Sequence, residues 1–465
     1  MHSIIPAPVS RVDGDGHIPL SSDTTVSDFP ELFPEFAHNE GGQGDIRFVI
    51  GESPAPGGYT LEVTSGGITI ESDARAGLFA GAQSLRQLMG PVATTVPITR
   101  IVDYPRFEYR AVMLDVARHF FGVAEVKRFI DSLALLKLNH LHLHLTDDQG
   151  WRLQIRSWPE LTGIGASTSV GGQGGGFYTQ DDYVEIVRYA ASRFITIVPE
   201  IDVPGHTNAA LSAYPSLNES GVATVPYEGI EVGFSSLWID GERTYEFLDD
   251  VIRELAELTP GPYIHLGGDE SLSTTDDDFL AFIARATAIA AGHGKTIIGW
   301  HEMGRSSQLP PGTIGQYWSF LRPQLGAGDH LRSFVDQGGR VIMSPADVAY
   351  LDMKYDSATE LGLDWAEGPT SLAAAYEWDP ATIIPGIGEA QLLGIEAPIW
   401  TETLVTMADV ESLAFPRLAA IAEIAWSPVG ERSFDELAPR LAAFGEHLAA
   451  AGVHFYRAPG VDWRD

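Results

Sequence analysis

From about residue 108 the sequence alternates short apolar runs with longer stretches of helical periodicity, and this rhythm restricts the fold more than any other feature of the 465 residues. Repeated βα units produce such a rhythm, because parallel neighbours need a crossover between them. Eight runs read as strands: residues 110–115, 140–145, 195–201, 263–267, 296–300, 313–317, 340–343 and 395–400. Helices fit after six of them, at 123–138, 179–192, 241–258, 275–292, 327–337 and 407–425, while the returns after the fifth and seventh strands read as irregular. The expected class is α/β, a (β/α)8 TIM barrel. The glycine-rich stretch Gly171 to Gly176 falls in a long loop after the second strand, expected to be a mobile surface loop. It lacks the lysine and spacing of a phosphate-binding loop.

Ahead of the barrel, residues 1–102 read as a small α+β domain. Residues 46–50 (IRFVI) suggest a strand, and 59–63 and 68–71 alternate around Ser65, Gly66 and Gly67 as a hairpin does. Residues 74–88 read as an amphipathic helix with Leu78, Leu85 and Leu88 on one side, and 98–105 as a connector. The barrel is then assigned 103–465, with a C-terminal helical segment. There is no repeat of about 20–50 residues, which excludes a solenoid.

Charge and cysteine content narrow the function. The 63 acidic and 29 basic residues give a net charge of −34. That excess repels phosphate backbones and anionic lipid, so neither nucleic acid nor a membrane is an expected partner. The absence of cysteine excludes disulfides, thiolate metal sites and a cysteine nucleophile. Met1 to Ser10 lack the basic and apolar regions of a secretory signal, so a cytoplasmic location is expected, or secretion if a signal has been removed. Oligomeric state is left open.

Barrel chemistry resides at the C-terminal strand ends. There the sequence places Arg118, then His144, Asp147 and Asp148, then Glu200, Asp202 and His206, then Asp269 and Glu270. Trp300, Trp318 and Trp400 close the fifth, sixth and eighth strands, Tyr350 and Asp352 follow the seventh, and Glu402 follows the eighth. Aromatic faces stack on sugar C–H faces, and carboxylates and arginine bond hydroxyls, so this mixture suggests a carbohydrate site. Each residue alone has a blander reading, a Trp as a core lid or an Asp as a helix cap. His140, His142 and His144 point to one face of a strand, which leaves open a metal-dependent barrel hydrolase. Inward histidines bonded to carboxylates are the plainer alternative.

HLGGDE (265–270) resembles the signature of the family 20 glycoside hydrolases, the β-N-acetylhexosaminidases. So do LDVARHF (114–120), HLHLTDDQGWRLQI (142–155), PEIDVPGH (199–206), GWHE (299–302) and APIWTET (397–403), all in the right order. The resemblance covers about residues 40–430 and implies a retaining exo-enzyme whose nucleophile is the substrate's own 2-acetamido group. It implies Glu270 as acid and base, Asp269 as partner of the acetamido N–H and of the oxazolinium intermediate, and Tyr350 as donor to the acetamido oxygen. Trp300, Trp318 and Trp400 are implied as the aromatic pocket. Arg118, Asp352 and Glu402 would hold hydroxyls, Trp365 would lie beside the next sugar, and Asp147, Asp202 and His206 would orient the acidic pair. His301 departs from the family at a position often acidic. The implied partner is a carbohydrate ending in β-linked N-acetylglucosamine or N-acetylgalactosamine, with no metal and no organic cofactor. A non-catalytic sugar-binding protein, and release of a disaccharide instead of one sugar, remain alternatives.

Overall fold

The computed structural model describes residues 4–39, 44–324, 326–430 and 432–464. A seven-stranded sheet comes first: β1 (Ser10–Pro19), β2 (Thr25–Val26), β3 (Ala37–His38), β4 (Ile46–Ile50), β5 (Tyr59–Thr64), β6 (Gly67–Ser72) and β7 (Thr95–Asp103). Their order is β1-β7-β5-β6-β4-β2-β3. Alternation buries Tyr59, Leu61 and Val63 of β5 with Ile68 and Ile70 of β6, on the face covered by α1 (Arg75–Met89).

Two readings of this region change. Most of 98–105 is no connector but part of β7, paired antiparallel with both β1 and β5. Pro97 disguised the strand. A proline cannot donate to a ladder, yet β5 pairs only with Thr99 to Asp103, so Pro97 has no β5 partner to lose. Strand β1 escaped notice because it is exposed along nearly its whole length and carries no apolar face.

The barrel closes from β8 (Tyr109–Asp115), β9 (His140–His144), β10 (Thr196–Glu200), β11 (Tyr263–His265), β12 (Thr296–Trp300), β13 (Ile314–Tyr317), β14 (Val341–Met343) and β15 (Leu392–Ile399), with β15 parallel to β8. Helical returns are α2 (Val123–Leu135), α3 (Gln180–Ser192), α4 (Glu242–Leu258), α5 (Asp276–Gly292) and α6 (Ala327–Asp336). A 3-10 turn (His301–Arg305) follows β12 and one helical turn (Ala346–Ala349) follows β14. The single helix expected at 407–425 is two, α7 (Met407–Ala414) and α8 (Arg417–Trp426). Pro416 lacks an N–H and its ring crowds the preceding turn, so the helix stops there. Helix α9 (Phe434–Ala450) ends the ordered elements.

The two-residue period of β9 splits it between two environments. Leu141 and Leu143 join the large core shared with the helices, and His140, His142 and His144 turn into the barrel. Tyr109, Ala111, Val198, Ile298, Ile314, Ile342 and Leu393 form an apolar interior layer. Sheet and barrel are joined by Lys137, whose Nζ lies 2.9 Å from Asp103 Oδ2 and 4.6 Å from the Trp426 ring centroid; Trp426 Nε1 also donates to Asp103 at 3.0 Å. Among the described residues no helix is long and apolar enough to cross a membrane.

Candidate active site

After β11 the backbone turns through Gly267 (φ 64°) and Gly268 (φ 92°). A Cβ on Gly267 would lie 1.7 Å from Asp202 Oδ1, and one on Gly268 2.4 Å from Met303 Cγ. Only glycine tolerates both the left-handed conformation and the close approach. The turn delivers Asp269 and Glu270 to the barrel mouth. Glu270 itself has φ 41°, a conformation that costs a non-glycine residue on the order of 1–3 kcal/mol and needs its surroundings to hold it. The Asp269 side chain is 11% exposed and that of Glu270 34%.

Beneath this pair, carboxylates and imidazoles alternate through the barrel. Glu396 Oε1 lies 2.8 Å from His142 Nδ1, and His142 Nε2 lies 3.0 Å from Glu200 Oε2. The same Glu200 oxygen accepts from His144 Nδ1 at 2.5 Å, and His144 Nε2 donates to Asp147 Oδ2 at 2.8 Å. Asp147 Oδ1 meets His206 Nδ1 at 3.2 Å, and His206 Nε2 stands 3.6 Å from Glu270 and 3.7 Å from Asp269. An imidazole flanked by two carboxylates donates to both only when doubly protonated. Burial lowers the pKa of His142, but Glu396 and Glu200 more than reverse this and bring it to about 9. Burial is likewise outweighed at His144 by Glu200 and Asp147, and at His206 by Asp147, so both stay cationic. Asp147 resists burial through Arg118, His206 and His144, and lies well below the usual carboxylate range.

Glu270, Asp269, Tyr350, Arg118, Trp318, Asp352, Trp365, Trp400 and Glu402 line one cavity of about 350 Å³, with His206. Arg118 stacks 4.8 Å over Trp400, with Nη2 2.9 Å from Asp147 and Nη1 3.6 Å from Asp115. Burial and then their mutual repulsion push the Asp352 carboxyl well up; burial also raises that of Glu402. Trp365 meets Trp318 at 6.2 Å and Tyr350 at 5.8 Å between ring centroids. Burial and nearby Asp352 keep the Tyr350 hydroxyl protonated, hence a donor. Trp300 lies deeper: its indole is buried, donates to Glu200 Oε1 at 3.1 Å and stands 6.2 Å from the Trp400 ring. Asp147 and Asp202 also sit below the cavity, Asp202 accepting from Gly268 N at 3.1 Å. Burial foremost, with the Glu270 charge opposed by His206, brings the Asp269 carboxyl to about 6.

Sequence reasoning assigned no role to Glu302, although GWHE contains it. Its oxygens accept from Trp318 Nε1 at 3.0 and 2.9 Å, and burial with Asp269 nearby pushes its carboxyl up to about 8. Ile230, Val232 and Leu363 also line the cavity. The first two come from an irregular loop whose sequence has no periodicity to flag them. Several donor sets, such as His142, Glu200 and His265, lie within 4.8 Å of one another, as metal ligands would. In the first of these sets and in its neighbour His144, Glu200 and Asp202, imidazole protons bridge to carboxylates, and a metal would have to displace those protons. His140 is separate, bonded to Asn139 at 2.8 Å and stacked 4.2 Å from Tyr109.

The site thus pairs a rim carboxyl with a buried one, beside groups suited to sugar hydroxyls and aromatic walls. The sequence matches the glycosyl hydrolase family 20 catalytic domain over residues 107–429 and domain 2 of that family over 31–104. A Cellulomonas fimi beta-N-acetylhexosaminidase is 43% identical over 438 residues, covering 92% of this chain and 86% of that protein. The Streptomyces plicatus N-acetyl-beta-hexosaminidase, solved in complex with Thio-NAglucal, superposes with a TM-score of 0.96 at 45% identity, covering 100% of this chain and 98% of that one. The Vibrio harveyi exo beta-N-acetylglucosaminidase in complex with N-acetylglucosamine gives 0.86 at 30%, covering 98% and 78%.

Proposed function

The chain belongs to glycosyl hydrolase family 20, and from that premise we propose that it removes terminal β-linked N-acetylhexosamine residues with retention, using the substrate's acetamido group as nucleophile. The observation that carries this reading is the pair Asp269 and Glu270, lifted by Gly267 and Gly268 into an aromatic-walled cavity that also holds Tyr350.

Arg118, Asp352 and Glu402 take the hydroxyls of a terminal sugar. Trp318 and Trp400 wall the acetyl group and ring face, and Trp300 backs them from below. The Tyr350 hydroxyl donates to the acetamido oxygen and aims it at the anomeric carbon. That oxygen attacks while Glu270 gives its proton to the glycosidic oxygen, and the bond to the leaving group breaks. Asp269, as an anion, accepts from the acetamido N–H and stabilises the positive oxazolinium. Water then attacks the anomeric carbon, Glu270 takes back a proton, and the acetamido group reopens. An internal nucleophile held in line contributes up to about 7–11 kcal/mol over a bimolecular encounter. His206, held cationic by Asp147, limits the negative charge that the two adjacent carboxyls would otherwise concentrate.

The test is hydrolysis of p-nitrophenyl N-acetyl-β-glucosaminide beside the plain β-glucoside, with and without EDTA. EDTA-resistant cleavage of the first alone is expected, with Asp269→Asn losing about 100-fold or more in kcat, on the order of 3 kcal/mol. Equal cleavage of both glycosides, or an Asp269→Asn variant with near-normal kcat, would remove the acetamido group from the reaction. Loss with chelator and recovery with zinc would restore the metal reading.

A further inference from the structure

Around the N-terminal ends of β8 and β9, opposite the sugar pocket, an open cavity of about 270 Å³ occupies the seam between sheet domain and barrel. Phe79 and Ala80 of α1 form one wall, and Leu138, Phe194 and Trp426 belong to the other. The Phe79 and Phe194 rings meet across the seam with centroids 5.1 Å apart.

One cation lining this cavity lacks a counter-ion. Arg110 is 7% exposed. Its Nε donates to the Lys137 carbonyl at 3.0 Å and its Nη1 to that of Phe107 at 2.8 Å. Nη2 has no hydrogen-bond partner among the described residues, yet it is not sealed from solvent. By contrast, buried Arg152 engages all three nitrogens with five carbonyls. Arg110 stands 4.9 Å over the Trp426 ring, which also faces the Lys137 ammonium. The seam's buried carboxylate, Asp103, is occupied by Lys137 at 2.9 Å, Tyr59 at 2.7 Å and Trp426 at 3.0 Å. The other ionic groups lining the cavity are paired elsewhere, Arg193 with Asp131 and Glu108 with Arg340. Burial therefore lowers the Arg110 pKa, to about 9, and Asp103 only partly opposes it. The guanidinium stays charged at neutral pH, desolvated and with one nitrogen facing open space. An anion there would form a charge-assisted bond with a donor that has no other partner. The apolar walls disfavour a strongly hydrated inorganic ion such as phosphate.

We propose that this seam binds a small organic anion, a carboxylate carried on an apolar or aromatic body. Its charge meets Arg110 Nη2, and its body lies against Phe79, Leu138 and Phe194. Such a ligand touches both domains and ties them together, far from the acidic pair. The inference is independent of the hexosaminidase reading.

Thermal unfolding of the full chain in 0.15 M salt, which screens the protein's net negative charge, tests this. The probes are benzoate, phenylacetate and 4-phenylbutyrate, each beside the corresponding alcohol. At least one acid should raise Tm saturably, by about 2–4 °C at millimolar concentration, while its alcohol does not. Ala76 is exposed near the start of α1 and lines the cavity. Ala76→Phe should fill the space and abolish the shift, with hydrolysis of the aryl glycoside unchanged. Arg110→Met should abolish it as well. Ala76→Phe leaves the bonds of Arg110 intact, so it decides the matter even if Arg110→Met fails to fold. The absence of a saturable shift with all three acids, equal shifts with the alcohols, or persistence of the shift in Ala76→Phe would overturn the proposal. So would competitive inhibition of hydrolysis, which would place the acid in the sugar pocket instead.

Discussion

Replacing Glu302 by glutamine should stabilise the protein, and increasingly so as pH rises. The carboxyl has an ordinary pKa of 4.5 and is pushed to about 8 by burial and by Asp269. Below pH 4.5 it is protonated folded and unfolded alike, and its contribution is fully present. Between 4.5 and 8 the unfolded chain releases the proton while the native state keeps it, so stability falls with rising pH. Above 8 the loss is complete. A shift of that size corresponds to at most about 5 kcal/mol. A fifth of the side chain touches solvent, so about 2 kcal/mol is the working magnitude. Glutamine has no proton to lose, and its carbonyl still accepts from Trp318 Nε1, so the contact survives. Urea unfolding of both proteins at pH 5, 7 and 9 reads the effect, with groups common to both largely cancelling in the difference. The stability gap should widen by about 2 kcal/mol from pH 5 to 9. Parallel curves would show that Glu302 does not carry a buried proton.

Three further outcomes follow from the same structure. Lys137→Met strands Asp103 without its ammonium partner between sheet and barrel, and should cost about 3–5 kcal/mol in chemical denaturation; a loss under 1 kcal/mol would mean the pair is hydrated. Gly267→Ala forces a Cβ into Asp202 at a positive φ, and should abolish activity or soluble expression; an active, normally stable variant would refute the need for glycine. With the Asp269 carboxyl brought to about 6 mainly by burial, and its anion required, kcat/KM on the aryl glycoside should decline tenfold per pH unit below that value; a flat profile down to pH 4.5 would contradict the assignment.

The order of strands and most helices was legible because long periodic segments carry their own evidence. Residues 179–192 show a Thr-capped amphipathic pattern, and α3 appears there one residue shorter. Legibility failed where one residue masked the pattern, as Pro97 did in β7 and Pro416 did in the last return. It also failed where a strand has no buried face, as in β1. At the site, the polar and aromatic residues that gather around the cavity were named, most of them because strand ends of a barrel converge by geometry, while the apolar Ile230, Val232 and Leu363 were not. Trp300 is the instructive case: its place at a strand end was readable, but its depth was not.

By itself, the sequence determined the barrel, the family and the identity of the residues at its mouth, because strand periodicity and short motifs are local properties. Tertiary structure alone decided which charges face one another. Glu396, His142, Glu200, His144, Asp147 and His206 come from three separate stretches of chain, around β15, β9 and β10, and their alternation exists only once the barrel closes. Depth, too, is a property of the closed barrel. The protonation of Glu302 depends on how much water the surrounding packing excludes, and no sequence pattern records that.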